Sequence, residues 1–355
     1  MLRIDTNMRL ALTLLASLSS LADAAAQWTW DGVRPAATEP SAAFSPDGRT
    51  LAVVQSKGTI RAGNGVVRVW DLATGKETKK ITLALAPGEI PERVSYNSRG
   101  ELVVLLCQYK GFKSGPGWAK QGTISACLWN AASDKRSPFI EIGYGGVAVC
   151  PKGELLAFDR GIWDVATGKK LRNVVLPDGL VGEIDFSPDG KKVLYRVSES
   201  LARDFALLFL ADVATGKKVL QIGEIDLEKH RGRCSLLFGP KFSLDGNRLA
   251  FGEAYRPTLH LWDVPEAKAV QRIPLKELEE VVGFSPNGRT LFTWRHADGE
   301  LRRWETATGK ARQVANVGKS INAALTGIDE VLLSPDGKTV VLRKGGAIEF
   351  RSLKD

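Results

Sequence analysis

Three histidines, His230, His260 and His296, and four cysteines, Cys107, Cys127, Cys150 and Cys234, are all the imidazole and thiol this chain has. Neither set has the spacing of a reaction centre. No Cys-x-x-Cys pair offers a zinc ion two thiolates. There is no Gly-x-Ser-x-Gly turn to expose a nucleophilic serine, no His-Glu-x-x-His and no calcium loop of the EF-hand kind. The glycine-rich run Arg61-Ala62-Gly63-Asn64-Gly65 lacks the strand-loop-helix setting of a phosphate cradle. The expectation is therefore no catalytic residue, no metal ligand and no cofactor.

Recognition chemistry is better represented. Between Gln108 and Gly122 the chain mixes Lys110, Lys113 and Lys120 with Tyr109, Phe112 and Trp118. Rings among cations suit a contact surface, because an aromatic side chain buries much area for little loss of conformational freedom. Arg203, Arg231, Tyr255 and Arg256 add similar chemistry elsewhere. These residues, together with Lys110, Phe112, Lys113, Trp118 and Lys120, are the candidate partner-binding set. They stand against a plainer reading, in which variable loops simply fold onto their own strands.

Two recurring phrases say what must position them. Ser-Pro-Asp-Gly stands intact at Ser45–Gly48, Ser187–Gly190 and Ser334–Gly337, with looser copies ending at Gly100, Gly153, Gly246 and Gly288. The other phrase is Trp-Asp followed by Ala-Thr-Gly-Lys, at Trp70–Lys76 and Trp163–Lys169. Four residues before the seven marker glycines stand Phe44, Tyr96, Val149, Phe186, Phe242, Phe284 and Leu333, all apolar. Short apolar runs punctuated by such turns read as strands. A unit this small cannot cover its own faces and must stack on neighbours. The expected fold is all-β: a seven-bladed β-propeller of four-stranded antiparallel blades over residues 27–355.

A register follows from the shortest copy. Pairing Phe158 with Trp163 leaves Arg160-Gly161 as a two-residue turn; in the sixth copy Thr293 then faces Trp304 across a turn at Asp298-Gly299. The same offset pairs Leu105 with Trp129 and puts Cys107 opposite Cys127. A disulfide there suits an oxidising compartment, and two buried free thiols are the alternative. Cys150 takes the serine's place in its turn. The last copy ends after its third strand, around Phe350, so Gln27–Val33, with Trp28 and Trp30, is the expected fourth strand that closes the ring.

The repeated phrases resemble those of the WD-repeat β-propeller family in a degenerate bacterial form, over roughly residues 40–355. Members often carry an Asp-His-Ser/Thr-Trp hydrogen-bond network in each blade, and three histidines are too few for that. The resemblance implies a non-catalytic scaffold for protein–protein contact. The runner-up is a hydrolase or lactonase-like propeller using carboxylates at the central channel and a divalent metal. In this topology the repeated turns share one face of the disc and the divergent second-to-third-strand loops share the other, where recognition is expected. The run Lys276–Glu280 reads as a solvated crossing.

The first 26 residues read as a signal peptide. Arg3 and Arg9 precede an apolar stretch from Leu10 to Leu21 and then small residues to Ala26. That stretch is short for a membrane span, and no later segment is long enough. Export, to periplasm or exterior, is the expected localisation, with no transmembrane span after cleavage. The chain of 355 residues carries a formal charge of +9. Outside the cytoplasm this points to a protein or an anionic envelope component as partner, with nucleic acid unlikely; plain solubility is the alternative.

Overall fold

The computed structural model describes residues 42–56, 64–110, 123–142, 146–198, 206–223, 237–253, 256–295, 297–317, 330–344 and 347–353. Every element within them is a β-strand. The strands form seven antiparallel sheets, or blades, spanning residues 42–84, 89–142, 147–173, 180–222, 237–274, 279–316 and 330–352. Five have four strands in simple sequential order. In blade 2 the fourth position is divided between Lys135–Arg136 and Ile140–Ile142, both paired to Thr123–Asn130. Blade 7 shows three strands among the described residues, ending with Ala347–Ser352. The expected closing strand, Gln27–Val33, lies outside the described residues, as does the leader.

Seven apolar seams hold the blades in a ring, one between each adjacent pair. Within a strand, successive side chains serve opposite seams. Leu51 and Val53 face blade 7, where they meet Val341 and Phe350; Ala52 and Val54 face blade 2 and meet Val104 and Leu106. Both sheet faces are thus covered, which is why the strand sequences are continuous apolar runs and not alternating ones. The seam between blades 7 and 1 closes the circle. Each of the seven apolar residues before the marker glycines packs in a different seam: Phe44, Tyr96, Val149, Phe186, Phe242, Phe284 and Leu333. The tryptophans serve packing too. Trp129 and Trp304 are buried, and Trp70, Trp163 and Trp262 pack against seams while partly exposed.

The pairing register differs from the expected one. Trp163 lies opposite Leu156, and Phe158 opposite Gly161, so the two-residue turn is Asp159-Arg160, with Asp159 at φ 50°. In blade 6 Trp304 faces Leu291, and Thr293 faces Arg302. These slips of two residues keep every side chain on its expected face. Blade 2 slips by one: Trp129 pairs with Val104, Cys127 with Leu106 and Cys107 with Ala126. An odd slip inverts faces. Cys107 packs toward blade 3 and Cys127 toward blade 1, both as buried free thiols, so the expected Cys107–Cys127 bridge is not formed. In blade 7 the place opposite the third residue after the marker glycine, held by Trp163 and Trp304 in blades 3 and 6, goes to Arg351, opposite Val340.

Candidate functional site

The repeated turns are built to satisfy themselves. In blade 1 the Ser45 hydroxyl donates to Asp47 at 2.6 Å and accepts the Thr50 amide at 2.9 Å, while the Arg49 amide donates to the same carboxylate oxygen at 3.0 Å. Blades 4, 5 and 7 repeat this with Ser187 and Asp189, Ser243 and Asp245, Ser334 and Asp336. In blade 3 the Cys150 thiol stands in for the hydroxyl and accepts the Leu155 amide at 3.2 Å. The marker glycines hold φ of 64–76°, a region unfavourable to side chains. At the outer turns Asp71, Asp164 and Asp212 each accept both the amide and the hydroxyl of the threonine three residues on. The threonine hydroxyl, then its amide, holds the Asp71 and Asp164 carboxyls below the usual range.

All seven inner turns are five residues long, whereas the second-to-third-strand connections run from two residues at Asp159-Arg160 to twelve at 111–122. The opposite face therefore carries the variation. Lys110 ends the second strand of blade 2, paired in register with Thr123 at the base of that longest connection. Arg256 is exposed in the blade 5 hairpin, its carbonyl accepting the Thr258 hydroxyl at 2.6 Å. Phe112, Lys113, Trp118, Lys120, Arg203, Arg231 and Tyr255 lie outside the described residues, as do His230, His296 and Cys234. On the same face the Arg160 guanidinium donates to the carbonyls of Leu176, Pro177 and Gly179 at 2.9–3.0 Å, fixing the crossing from blade 3 to blade 4.

Around the axis the inner strands bring together charges that are far apart in sequence. Glu183 and Asp185 of blade 4 are surrounded by Arg93 of blade 2, Lys241 of blade 5, Arg196 of their own blade and Glu280 of blade 6. Arg196 Nε stands 3.9 Å from Glu183, and Arg93 also donates to the Val147 carbonyl of blade 3 at 3.3 Å. Burial raises both carboxyls, with Lys241 and Arg196 opposing at Glu183, and Arg93 and Lys241 opposing at Asp185. Carboxylates do converge on the channel, but cations interleave them. Among the described residues no group of three or more His, Cys, Asp or Glu is placed to hold a metal ion.

Blade 6 carries a hydrogen-bond chain without histidine. The Trp304 indole donates to Thr293 Oγ1 at 2.7 Å, Thr293 donates to Glu279 at 2.5 Å, and Arg302 donates to the other Glu279 oxygen at 2.8 Å. Glu279 is 1% exposed, and burial raises its carboxyl, so this part of the expected solvated crossing is interior. In blade 2 Glu89, also buried, receives the Arg136 guanidinium on both oxygens. His260 stacks on Phe251 at 4.8 Å and meets Glu253 at 2.9 Å, a wall residue rather than a ligand.

No family model matches the chain. It is 28% identical over 199 residues to an uncharacterized WD repeat-containing protein of Deinococcus radiodurans, spanning 49% of this chain and 68% of that one. Autophagy-related protein 16 of Arabidopsis thaliana is 26% identical over 154 residues, covering 43% of this chain, and human apoptotic protease-activating factor 1 is 25% identical over 191 residues, covering 51%. These matches take in only 27% and 13% of those two longer proteins. Among solved structures, the Myceliophteria thermophila Cps50 (Swd1) β-propeller domain superposes with TM-score 0.61 at 15% identity, over 88% of this chain and 96% of that one. Kuenenia stuttgartiensis hydrazine synthase gives 0.60 at 17% identity, over 88% and 95%. At these identities the structural likeness concerns the fold.

Proposed function

The chain is a WD-repeat β-propeller, and on that premise we propose that it acts as a non-catalytic, exported scaffold that binds a protein or an anionic envelope component through its variable-loop face. The observation that carries this is the contrast between the two faces. Seven inner turns of equal length sit on one side; connections of two to twelve residues sit on the other. A rigid ring with divergent loops on one face is the usual arrangement for recognition. The apolar leader supports export, and the basic-aromatic stretch 108–122 supports the choice of partner.

The test is capture. The protein beginning at Gln27, immobilised, is exposed to envelope extract beside a variant with Lys110, Lys113 and Lys120 changed to Glu. Partner recovery should fall at least tenfold in the variant, and the salt dependence should flatten. Equal recovery would remove this face from the proposal. The enzyme alternative, with channel carboxylates and a divalent ion, makes a separate demand. It requires stoichiometric metal by elemental analysis of the purified protein. The interleaving of Glu183 and Asp185 with Arg93 and Lys241 disfavours that outcome.

A further inference from the structure

Blade 6 alone has an asparagine before its marker glycine. Its turn reads Ser285-Pro286-Asn287-Gly288, where blades 1, 4, 5 and 7 carry an aspartate. The amide is bonded as those carboxylates are. The Ser285 hydroxyl donates to Asn287 Oδ1 at 2.8 Å, and the Arg289 amide donates to the same atom at 3.0 Å. In the aspartate turns the hydroxyl contact is tighter, at 2.5–2.6 Å, as a charged acceptor makes it. The Ser45 and Ser243 hydroxyls hold the Asp47 and Asp245 carboxyls below the usual range. The blade 6 turn is thus laid out for a carboxylate and carries its neutral isostere.

An asparagine followed by glycine loses its side-chain ammonia readily, because no side chain shields the glycine nitrogen. At this site the Gly288 nitrogen gives its proton to water and attacks Asn287 Cγ. The Cγ–Nδ2 bond breaks, ammonia leaves and a cyclic imide closes. Water then opens the ring. Cleavage between Cγ and the Gly288 nitrogen leaves aspartate in an unaltered main chain. Cleavage between the Asn287 carbonyl carbon and that nitrogen leaves isoaspartate, whose main chain runs through the side chain and is longer.

The chain has two Asn-Gly pairs, and the fold treats them differently. Asn287 is exposed, and a Cβ on Gly288 would meet nothing nearer than Ser243 Cβ at 4.0 Å. The contact opposing attack is the hydrogen bond from the Gly288 amide to the Ser285 carbonyl, 2.9 Å, which local opening of the turn releases. Gly65, which follows Asn64, is buried within blade 1, in register with Ser56 on one side and Leu83 on the other. A Cβ there would lie 2.7 Å from Pro91, so the strand must open before an imide forms. Opening costs rise from near zero in surface turns to the whole stability for core strands.

We propose that Asn287 is a deamidation site of the folded protein, and that its turn accepts the resulting aspartate and becomes a copy of the turns in blades 1, 4 and 7. The co-reactant is water alone. Isoaspartate would lengthen a turn whose length all seven blades share, so it is the damaging product. The inference stands on the turn geometry and not on the scaffold reading.

The protein beginning at Gln27 is held at mildly alkaline pH in heavy-oxygen water, in native buffer and in strong urea, and its tryptic peptides are mapped by mass. The label marks conversion that precedes digestion. In native buffer Asn287 should convert about tenfold faster than Asn64, and in urea the two rates should converge. Asn287→Asp should raise the melting temperature by about 1 °C at neutral pH. That gain should fade as pH falls below about 4, where the carboxylate takes up its proton. Three outcomes would overturn the proposal: conversion of Asn287 confined to urea, equal rates at the two sites in native buffer, or an Asn287→Asp protein that melts below the natural one.

Discussion

Gly48 of blade 1 lies against Pro335 of blade 7, so that a Cβ on the glycine would meet the proline ring at 3.7 Å. The same relation sets Gly190 on Pro151, Gly246 on Pro188 and Gly337 on Pro286. The first and last blades therefore meet as any two neighbours do, and Leu51, Val53, Val341 and Phe350 share the seam behind them. The turns form a circle of interlocking tiles. Gly48→Ala, at φ 68°, should cost about 1 kcal/mol through backbone strain alone, read as a lower urea midpoint.

Blade 7 has three strands among the described residues, which leaves Ala347–Ser352 as its outer strand there. If Gln27–Val33 supplies the fourth, removing residues 27–35 exposes that edge and unburies Trp28 and Trp30. Two indoles at roughly 2 kcal/mol each imply a loss of about 4 kcal/mol, or a fall in melting temperature of about 6 °C for a domain of this size. Calorimetry of the truncated and intact proteins checks this. Coincident melting curves would show that the segment does not close the ring.

Cys107 and Cys127 are neighbours in register but serve opposite seams. Burial drives the Cys107 thiol up, and Cys127 is pushed up to about 12. Neither supplies thiolate near neutral pH. Alkylation without prior reduction should label both, at a rate that tracks unfolding and rises steeply with denaturant. Reductant should leave the melting temperature unchanged. Recovery of a disulfide-linked peptide containing both residues would contradict the observed register.

The outer-turn aspartates set an acid limit. The carboxyls of Asp71 and Asp164 are lowered by the threonine hydroxyls, and Asp298 is lowered to about 2 by hydrogen bonding to Arg295. A carboxyl lowered in the folded state adds stability that is complete above its unfolded value, near 4, and fades as pH falls through the lowered value. Stability should therefore hold above about pH 5 and drop between about 4 and 2. Glu183, Asp185 and Glu279, raised by burial, act in the opposite sense, losing their contribution as pH rises. Asp298→Asn should flatten the acid limb in melting scans across pH. An unchanged limb would exclude the Asp298–Arg295 contact as its source.

Seven copies were legible because each needs a glycine at positive φ and an apolar residue four places earlier, both visible without neighbours. Exact register was not. The two-residue turn expected at Arg160-Gly161 falls at Asp159-Arg160, with Asp159 in the left-handed region, and in blade 2 a single-residue slip reversed the faces of Cys107 and Cys127. The axial charges were hidden because Arg93, Asp185 and Lys241 belong to different blades and meet only when the ring closes. Glu279 was hidden by its company. Among Lys276, Glu277 and Glu280 it reads as solvent-facing, and only the positions of Thr293 and Arg302 reveal it as interior.

That last contact supports a measurable energy. Thr293 is fully buried, with its hydroxyl accepting from the Trp304 indole and donating to Glu279. Thr293→Val keeps the shape and removes the hydroxyl. It strands one buried N–H and takes a donor from a buried carboxylate, at about 1–3 kcal/mol for each unsatisfied group. The expected loss is about 3 kcal/mol in urea unfolding. Thr293→Ser, which keeps the hydroxyl, should cost about 1 kcal/mol for the lost methyl. The pair separates packing from hydrogen bonding. If valine and serine proved equally mild, the chain from Trp304 to Arg302 would be a geometric coincidence, and blade 6 would rest on its seams alone.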